Sequence, residues 1–226
     1  MTGARDPARI FADYDIRSPL RSFLRVTRDL ILEPQTFFRA VRGGSLWGPT
    51  QFVFATYSLV TLIVTPLFLL GLVLVFSRLA SSPQANAAAP SGLELVGLAA
   101  PFLAVLLTPF FGVLGTFVGA LVWHPFVAIS VGVGRGAGFR ETYRIAAYQS
   151  LPYIAGNFIP LLGFLFSVGG ISYLGVFGVK GAHRASTTRA IISVFVPLLL
   201  TFLLFVGALI VTVMIMSNTP NYPGPG

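Results

Sequence analysis

Between Leu95 and Val133 the chain runs for 39 residues without an Asp, Glu, Lys or Arg. A water-soluble fold has no surface on which to spread such a stretch, whereas hydrocarbon solvates apolar side chains on every face of a helix. Similar uncharged runs occupy 51–76, 145–179 and 190–216. Charged residues make up 10% of the chain, against about 25% in soluble domains, and the mean hydropathy is +0.83. The expected solvent is a lipid bilayer.

A spanning helix needs about 20 mostly apolar residues. The first candidate is 51–76, followed by an irregular polar connection, 77–92. The run 95–133 is awkward: one straight helix would be about 58 Å long at 1.5 Å per residue, and two full spans leave no room for a turn. Pro101, Pro109 and Pro125 break or bend it, so one span over 102–123 is expected, with kinked, interfacial or re-entrant flanks. In 145–179, Asn157, Pro160 and Gly163 mark a tight turn, giving a hairpin with arms 143–158 and 161–179. The last span is 190–216 and a flexible tail, 217–226, follows. The expected fold is all-α: a polytopic membrane bundle of five transmembrane helices, 51–216, after a cytoplasmic segment, 1–50. Residues 1–19 hold Asp6, Asp13 and Asp15 and no apolar core, so they do not read as a signal peptide and insertion falls to the first span.

The net charge of +8 comes from 14 Arg and one Lys against seven acids. The basic residues lie between apolar runs, which points to topology and anionic phospholipid rather than nucleic acid. Eight Arg precede the first span; Arg135, Arg140 and Arg144 follow the second; Lys180, Arg184 and Arg189 follow the fourth. Five spans leave only Arg78 on the opposite side, so 14 of the 15 basic residues share one face. That face is cytoplasmic by the positive-inside rule, with the N-terminus inside and the C-terminus outside. Splitting 95–133 into two spans would put the Arg135 loop outside.

Within the cytoplasmic segment, Ser18-Pro19 is a helix start, with Ser18 as N-cap. Leu20, Phe23, Leu24, Leu30 and Ile31 share one helical face, while Arg21, Arg25 and Arg28 line another at i, i+4, i+7. After Pro34, the residues Phe37, Phe38 and Val41 form a second short apolar face. Such a helix lies on anionic lipid or packs under the bundle, and the pattern admits both.

Candidate chemistry is sparse. There is no cysteine, and His124 and His183 stand 59 positions apart, so no metal or thiol site is expected and no cofactor is implied. His124, between Trp123 and Pro125, reads as an interfacial anchor more than a proton relay, and neither Ser130 nor Ser150 sits in a nucleophile motif. No enzyme is expected. The G-x-G-x-x-A stretch 132–137 follows a span and not a strand, so it reads as a flexible loop. Gly112, Gly115 and Gly119, with Thr116 and Ala120, form small-residue rows suited to close helix packing, within the chain in preference to a homo-oligomer. Gly163, Gly170, Gly175 and Gly178 point to a closely packed hairpin. Glu141 is expected to pair locally with Arg140 or Arg144, and Glu94 to be solvated. No charge falls near the middle of a span, which argues against a proton-coupled pump or a charged filter.

Three blocks in order, LILEPQTFFRAVRGGSLWGPTQFVF from Leu30, GFRETYRIAAYQSLP from Gly138 and LGVFGVKGAHRASTTRA from Leu174, resemble the Yip-one (Ypt-interacting protein, Yip-type domain) family over about 25–216. The family's Thr-x-Arg-x-x-x-Tyr element corresponds to Thr142, Arg144 and Tyr148, followed by Pro152, and its Gly-x-x-x-x-His-x-x-Ser element to Gly178, His183 and Ser186. Pro34, Gly48 and Pro49 belong to the first block. The resemblance implies a five-helix membrane domain with a cytoplasmic N-terminus. Eukaryotic members bind prenylated Rab-type GTPases; here Ser45-Leu-Trp-Gly-Pro49 replaces their Asp-Leu-Tyr-Gly-Pro, and the missing acid and the short preamble argue against GTPase binding. The chain looks like the bacterial branch, which implies the inner membrane.

Arg144, at the entry to the third span, is expected to reach lipid phosphate or the last carbonyls of span two or four. Ser186 is expected to cap the last span, and Thr142, Arg144 and Tyr148 to form one polar cluster with His183 and Ser186, joining both cytoplasmic loops. The expected function is a membrane scaffold or adaptor gathering lipid or an unidentified membrane protein at the cytoplasmic face, with a passive channel or small-solute transporter as the alternative.

Overall fold

The computed structural model describes residues 12–80, 92–132, 134, 138–152 and 160–218. They form seven helices: α1 (Pro19–Leu32), α2 (Pro34–Ala40), α3 (Trp47–Ala80), α4 (Gly92–Val131), α5 (Phe139–Tyr148), α6 (Pro160–Ala182) and α7 (Thr187–Asn218). No strand occurs among the described residues.

Proline marks the helix starts where a missing N–H costs nothing: Pro19 opens α1, Pro34 opens α2, and Pro49 lies in the first turn of α3. Ser18 occupies the N-cap of α1 without a side-chain cap bond. Ser22 is engaged instead, its Oγ accepting the Asp15 N–H at 2.8 Å. Ser186 sits just before α7, and its Oγ accepts the Arg189 N–H at 3.5 Å.

Three helices among the described residues are long and apolar enough to cross a membrane, over Leu106–Val131, Leu165–Ala182 and Thr187–Ser217. The run 95–133 is helical from Gly92 to Val131, about 60 Å along the helix at 1.5 Å per residue, so the flanks of the expected 102–123 span are helical; a helix in lipid keeps its remaining backbone bonds around a proline instead of yielding them to water. The expected arm 143–158 is interrupted. α5 ends at Tyr148 and turns through 149–151, where Pro152 disfavours helical backbone at the residue before it. The remainder of that arm (153–159), residues 133 and 135–137 of the glycine-rich loop, most of the connection 77–92, and 219–226 of the tail lie outside the described residues.

α3 packs on α4, α4 on α5 and α7, α6 on α2 and α7. One buried cluster joins Tyr14, Val26, Leu30, Phe37 and Phe38 to Phe52, Val127, Ile145, Tyr148, Leu174 and Val179. The segment before α3 therefore shares its core with the long helices. Close approach is set by small residues. A Cβ on Gly178 would meet Ile145 Cγ1 at 3.1 Å and Phe38 at 3.3 Å, and one on Gly170 would meet Pro152 at 2.7 Å. Gly112 faces the ring of Tyr57. Gly115 and Gly119 are corrected: a Cβ on either has no atom within 4 Å, and they line an open-sided cavity of about 580 Å³ between α4 and α7. They seal no helix contact among the described residues.

Candidate functional site: a buried arginine beneath the N-terminal strap

α5 is short and carries charge on its inward face. Glu141, Arg144 and Tyr148 lie at i, i+3 and i+7 and all are buried. The Arg144 side chain is 0% exposed. A guanidinium out of water needs partners for its N–H groups, and three residues supply them. Nε donates to Glu141 Oε2 at 3.1 Å. Nη1 donates to Asp13 Oδ2 at 2.9 Å and Oδ1 at 3.2 Å. Nη2 donates to the Gly44 carbonyl at 2.6 Å. Tyr148 donates its hydroxyl to Asp13 Oδ1 at 2.8 Å.

Glu141 is likewise two-handed, its Oε1 accepting the Gly43 N–H at 2.9 Å. Gly43 turns the chain with φ +78, a conformation that costs glycine little. Gly48 is required for space: a Cβ there would stand 2.9 Å from Asp13 Cβ and 3.0 Å from the Tyr14 carbonyl. The strap 12–18 thus crosses directly over the start of α3. Aromatic rings close the site laterally, with Phe52, Phe37 and Phe38 centroids 4.9, 5.0 and 6.0 Å from that of Tyr148.

Burial raises the Asp13 carboxyl above its ordinary value; Arg144 pulls it back down, as does the Tyr148 hydrogen bond, and Glu141 adds to the rise. Two acids face one guanidinium, so the site tolerates a proton on Asp13 better than bulk water does.

A second polar row lies beside the first. Thr142 Oγ1 is 2.9 Å from His124 Nδ1 and 3.4 Å from His183 Nε2. A hydroxyl donates only one hydrogen bond, so at most one of the two imidazoles accepts from it. His183 is buried, and desolvation lowers its pKa to about 4, with further lowering by electrostatic interaction with His124 and Arg42.

The sequence expectations are re-sorted accordingly. Arg144 touches neither lipid nor the ends of spans two and four: enclosure by Asp13, Glu141 and Gly44 removes it from both. Glu141 pairs with Arg144 as expected but is buried. Thr142 meets His183, so the two loops do join, through that pair and not through Arg144. Ser186 stays exposed at the start of α7. His124 is not a free interfacial anchor, since it bonds Thr142, and Trp123 donates Nε1–H to the Ser193 carbonyl at 2.7 Å. Pro34 is buried; Arg21 and Arg28 are exposed, and Arg25 donates to the Asp13 carbonyl at 3.3 Å. Asp13 is the member that sequence reasoning missed. No local pattern marked it, because its partners Arg144 and Tyr148 lie 131 and 135 positions away. Among the described residues no group of three His, Cys, Asp or Glu side chains stands at metal-binding spacing.

With its donors occupied, the site is suited to holding strap, turn and α5 together. No curated protein and no solved structure matches the chain. The profile of the Yip1 domain matches residues 28–209, which takes in α2 to α6, most of α7, and both Arg144 and His183. The chain belongs to the Yip1 family.

Proposed function

We propose that this membrane protein is a scaffold that presents a fixed, lipid-adhering helix at the cytoplasmic side of five spans. One observation carries the reading: α1 is apolar on two sides. Val26 and Leu30 are buried in the core, while Leu20 and Leu24, at 72% and 59% exposed, stand on the other side with Ile31. Arg21, Arg25 and Arg28 border that exposed stripe. A helix with leucines bordered by arginines suits the headgroup boundary of an anionic leaflet. The core contacts and the Asp13–Arg144 pair hold it at a set height beside the long helices. The distribution of 14 of 15 basic residues supports five spans with α1 inside.

The test is reconstitution. A photo-cross-linker at position 24 should label phospholipid or a recurrent membrane partner in native membranes, and proteoliposomes should hold their solute gradients. Specific solute flux above empty liposomes would overturn the scaffold in favour of a passive channel. A reporter active in the cytosol when fused after Gly226 would overturn the five-span orientation.

A further inference from the structure

A groove of about 820 Å³ opens beneath the N-terminal end of α1, between the strap, α3 and α4. Ile16, Pro19 and Trp47 form its mouth; Phe54, Phe110 and Phe117 line its walls, and Ser58 its far end. From Trp47 to Ser58 is 11 helical residues, about 16 Å at 1.5 Å per residue. That is about half of a ~30 Å hydrocarbon core, the depth of one leaflet. Two wall hydroxyls are spent on protein, with Thr50 Oγ1 bonded to the Leu46 carbonyl at 2.8 Å and to the Tyr143 hydroxyl at 2.9 Å. Water gains little there, and hydrocarbon loses nothing.

Two arginines flank the mouth in sequence. Arg17 lies between the mouth residues Ile16 and Pro19, and Arg21 follows on the first turn of α1. Both are exposed, and among the described residues no acid pairs with either guanidinium. Asp15 is the acid nearest in sequence, and its Oδ1 accepts the Arg17 backbone N–H at 3.0 Å. Asp13, the other acid of the strap, is held by Arg144.

We propose that this groove seats one acyl chain of an anionic phospholipid of the cytoplasmic leaflet, with the phosphate at Arg17 and Arg21. The inference rests on the membrane-scaffold reading and names a lipid for it. Depth argues for a chain over a partner's helix, because a spanning helix would need the groove to continue for about 30 Å, and among the described residues its lining reaches no further along α3 than Ser58. Charge argues for an anionic headgroup over a zwitterionic one.

Trp47 and Trp123 are the two tryptophans of the chain, so Trp123→Phe leaves Trp47 as a reporter at the mouth. In vesicles of phosphatidylcholine containing phosphatidylglycerol brominated near the glycerol end of its chains, Trp47 fluorescence should fall at least threefold more per mole of brominated lipid than with brominated phosphatidylcholine. Arg17→Gln with Arg21→Gln should bring the two lipids to parity. Ser58→Phe should weaken quenching by both while the melting temperature holds; if that variant does not fold, Val113→Phe takes its place. Equal quenching by the two lipids in the starting protein, or a preference that survives the arginine changes, overturns the proposal. A filled groove that changes the oligomeric state and leaves quenching unaltered assigns it to a second copy and overturns it as well. Solute flux would strike the scaffold reading and leave a threefold lipid preference standing, so the two failures are distinguishable.

Discussion

Asp13 Oδ2 and Arg144 Nη1 lie 2.9 Å apart, although 131 positions separate the two residues in the chain. Through that contact the extended strap becomes part of the bundle, and the guanidinium is fully enclosed.

Removing a member of a buried ion pair costs roughly 3–5 kcal/mol, because the partner is left charged and unmatched. Arg144→Leu strands Glu141 and Asp13, and Arg144→Glu adds a third acid. Both should lower the yield of monodisperse protein in detergent and the melting temperature, with Arg144→Glu the worse. Arg144→Lys should fall between, since an ammonium cannot reproduce the planar fork that meets Asp13 and Gly44 together. Unchanged melting in all three would remove the network from the account of stability.

Asp13→Asn should also destabilise, by less, because Glu141 remains on Nε. Position 45 adjoins Gly44, whose carbonyl accepts from Arg144, so Ser45→Asp should recover a good part of the loss in the Asp13→Asn background. In the otherwise unchanged chain it should be neutral or unfavourable, by crowding a third acid near the first two. A double-mutant cycle in thermal melting reads the coupling, and additivity would refute it.

Glycines of one α4 row should part company. Gly112→Leu drives a side chain into the Tyr57 ring and should destabilise by several kcal/mol, the range of overpacking and worse. Gly115→Ala and Gly119→Ala meet open space and should be neutral or gain up to about 1 kcal/mol from helix propensity. Equal losses at all three positions would mean that Gly115 and Gly119 face a packed partner.

Stability should fall as pH drops from about 6.5 towards 4. The His183 pKa is lowered to about 4 in the fold, against 6.5 when solvated, so over that window the unfolded chain takes up a proton that the folded chain refuses. The full loss is about 3 kcal/mol at 1.36 kcal/mol per unit. Asp13 acts in the opposite sense: its folded value is raised, so protonation favours the fold as pH falls. Melting temperatures of wild type and His183→Gln between pH 7.5 and 4.5 check this, with a flatter profile expected for the variant.

The helices were readable because their causes are local. Uncharged runs and the Ser18-Pro19 start need no tertiary information, and α7 begins close to where composition puts it. The ends of α3 and α4 were not readable, because hydrophobicity does not say where a helix stops once lipid tolerates its prolines. At the site, Thr142, Arg144, Tyr148 and His183 stood out as a patterned set, but their partners did not. Asp13 looked like one acid in a polar leader, and nothing within ten residues of it hints at α5. The contact depends on the strap crossing Gly48, a property of the assembled bundle. Gly112 and Gly115 could not be told apart by spacing, because the decisive object is the Tyr57 ring of another helix.

The distance in sequence between Asp13 and Arg144 also orders biosynthesis. At roughly 5–20 residues per second, the acid leaves the ribosome about 7–26 s before the base that will receive it. Throughout that interval the strap has no guanidinium to close on, while Phe52 of α3 is already made and is the ring that stacks on Phe23 of α1, 5.2 Å between centroids in the finished fold. The Asp13–Arg144 contact waits until α5 is made, so closing the strap is a late step of assembly.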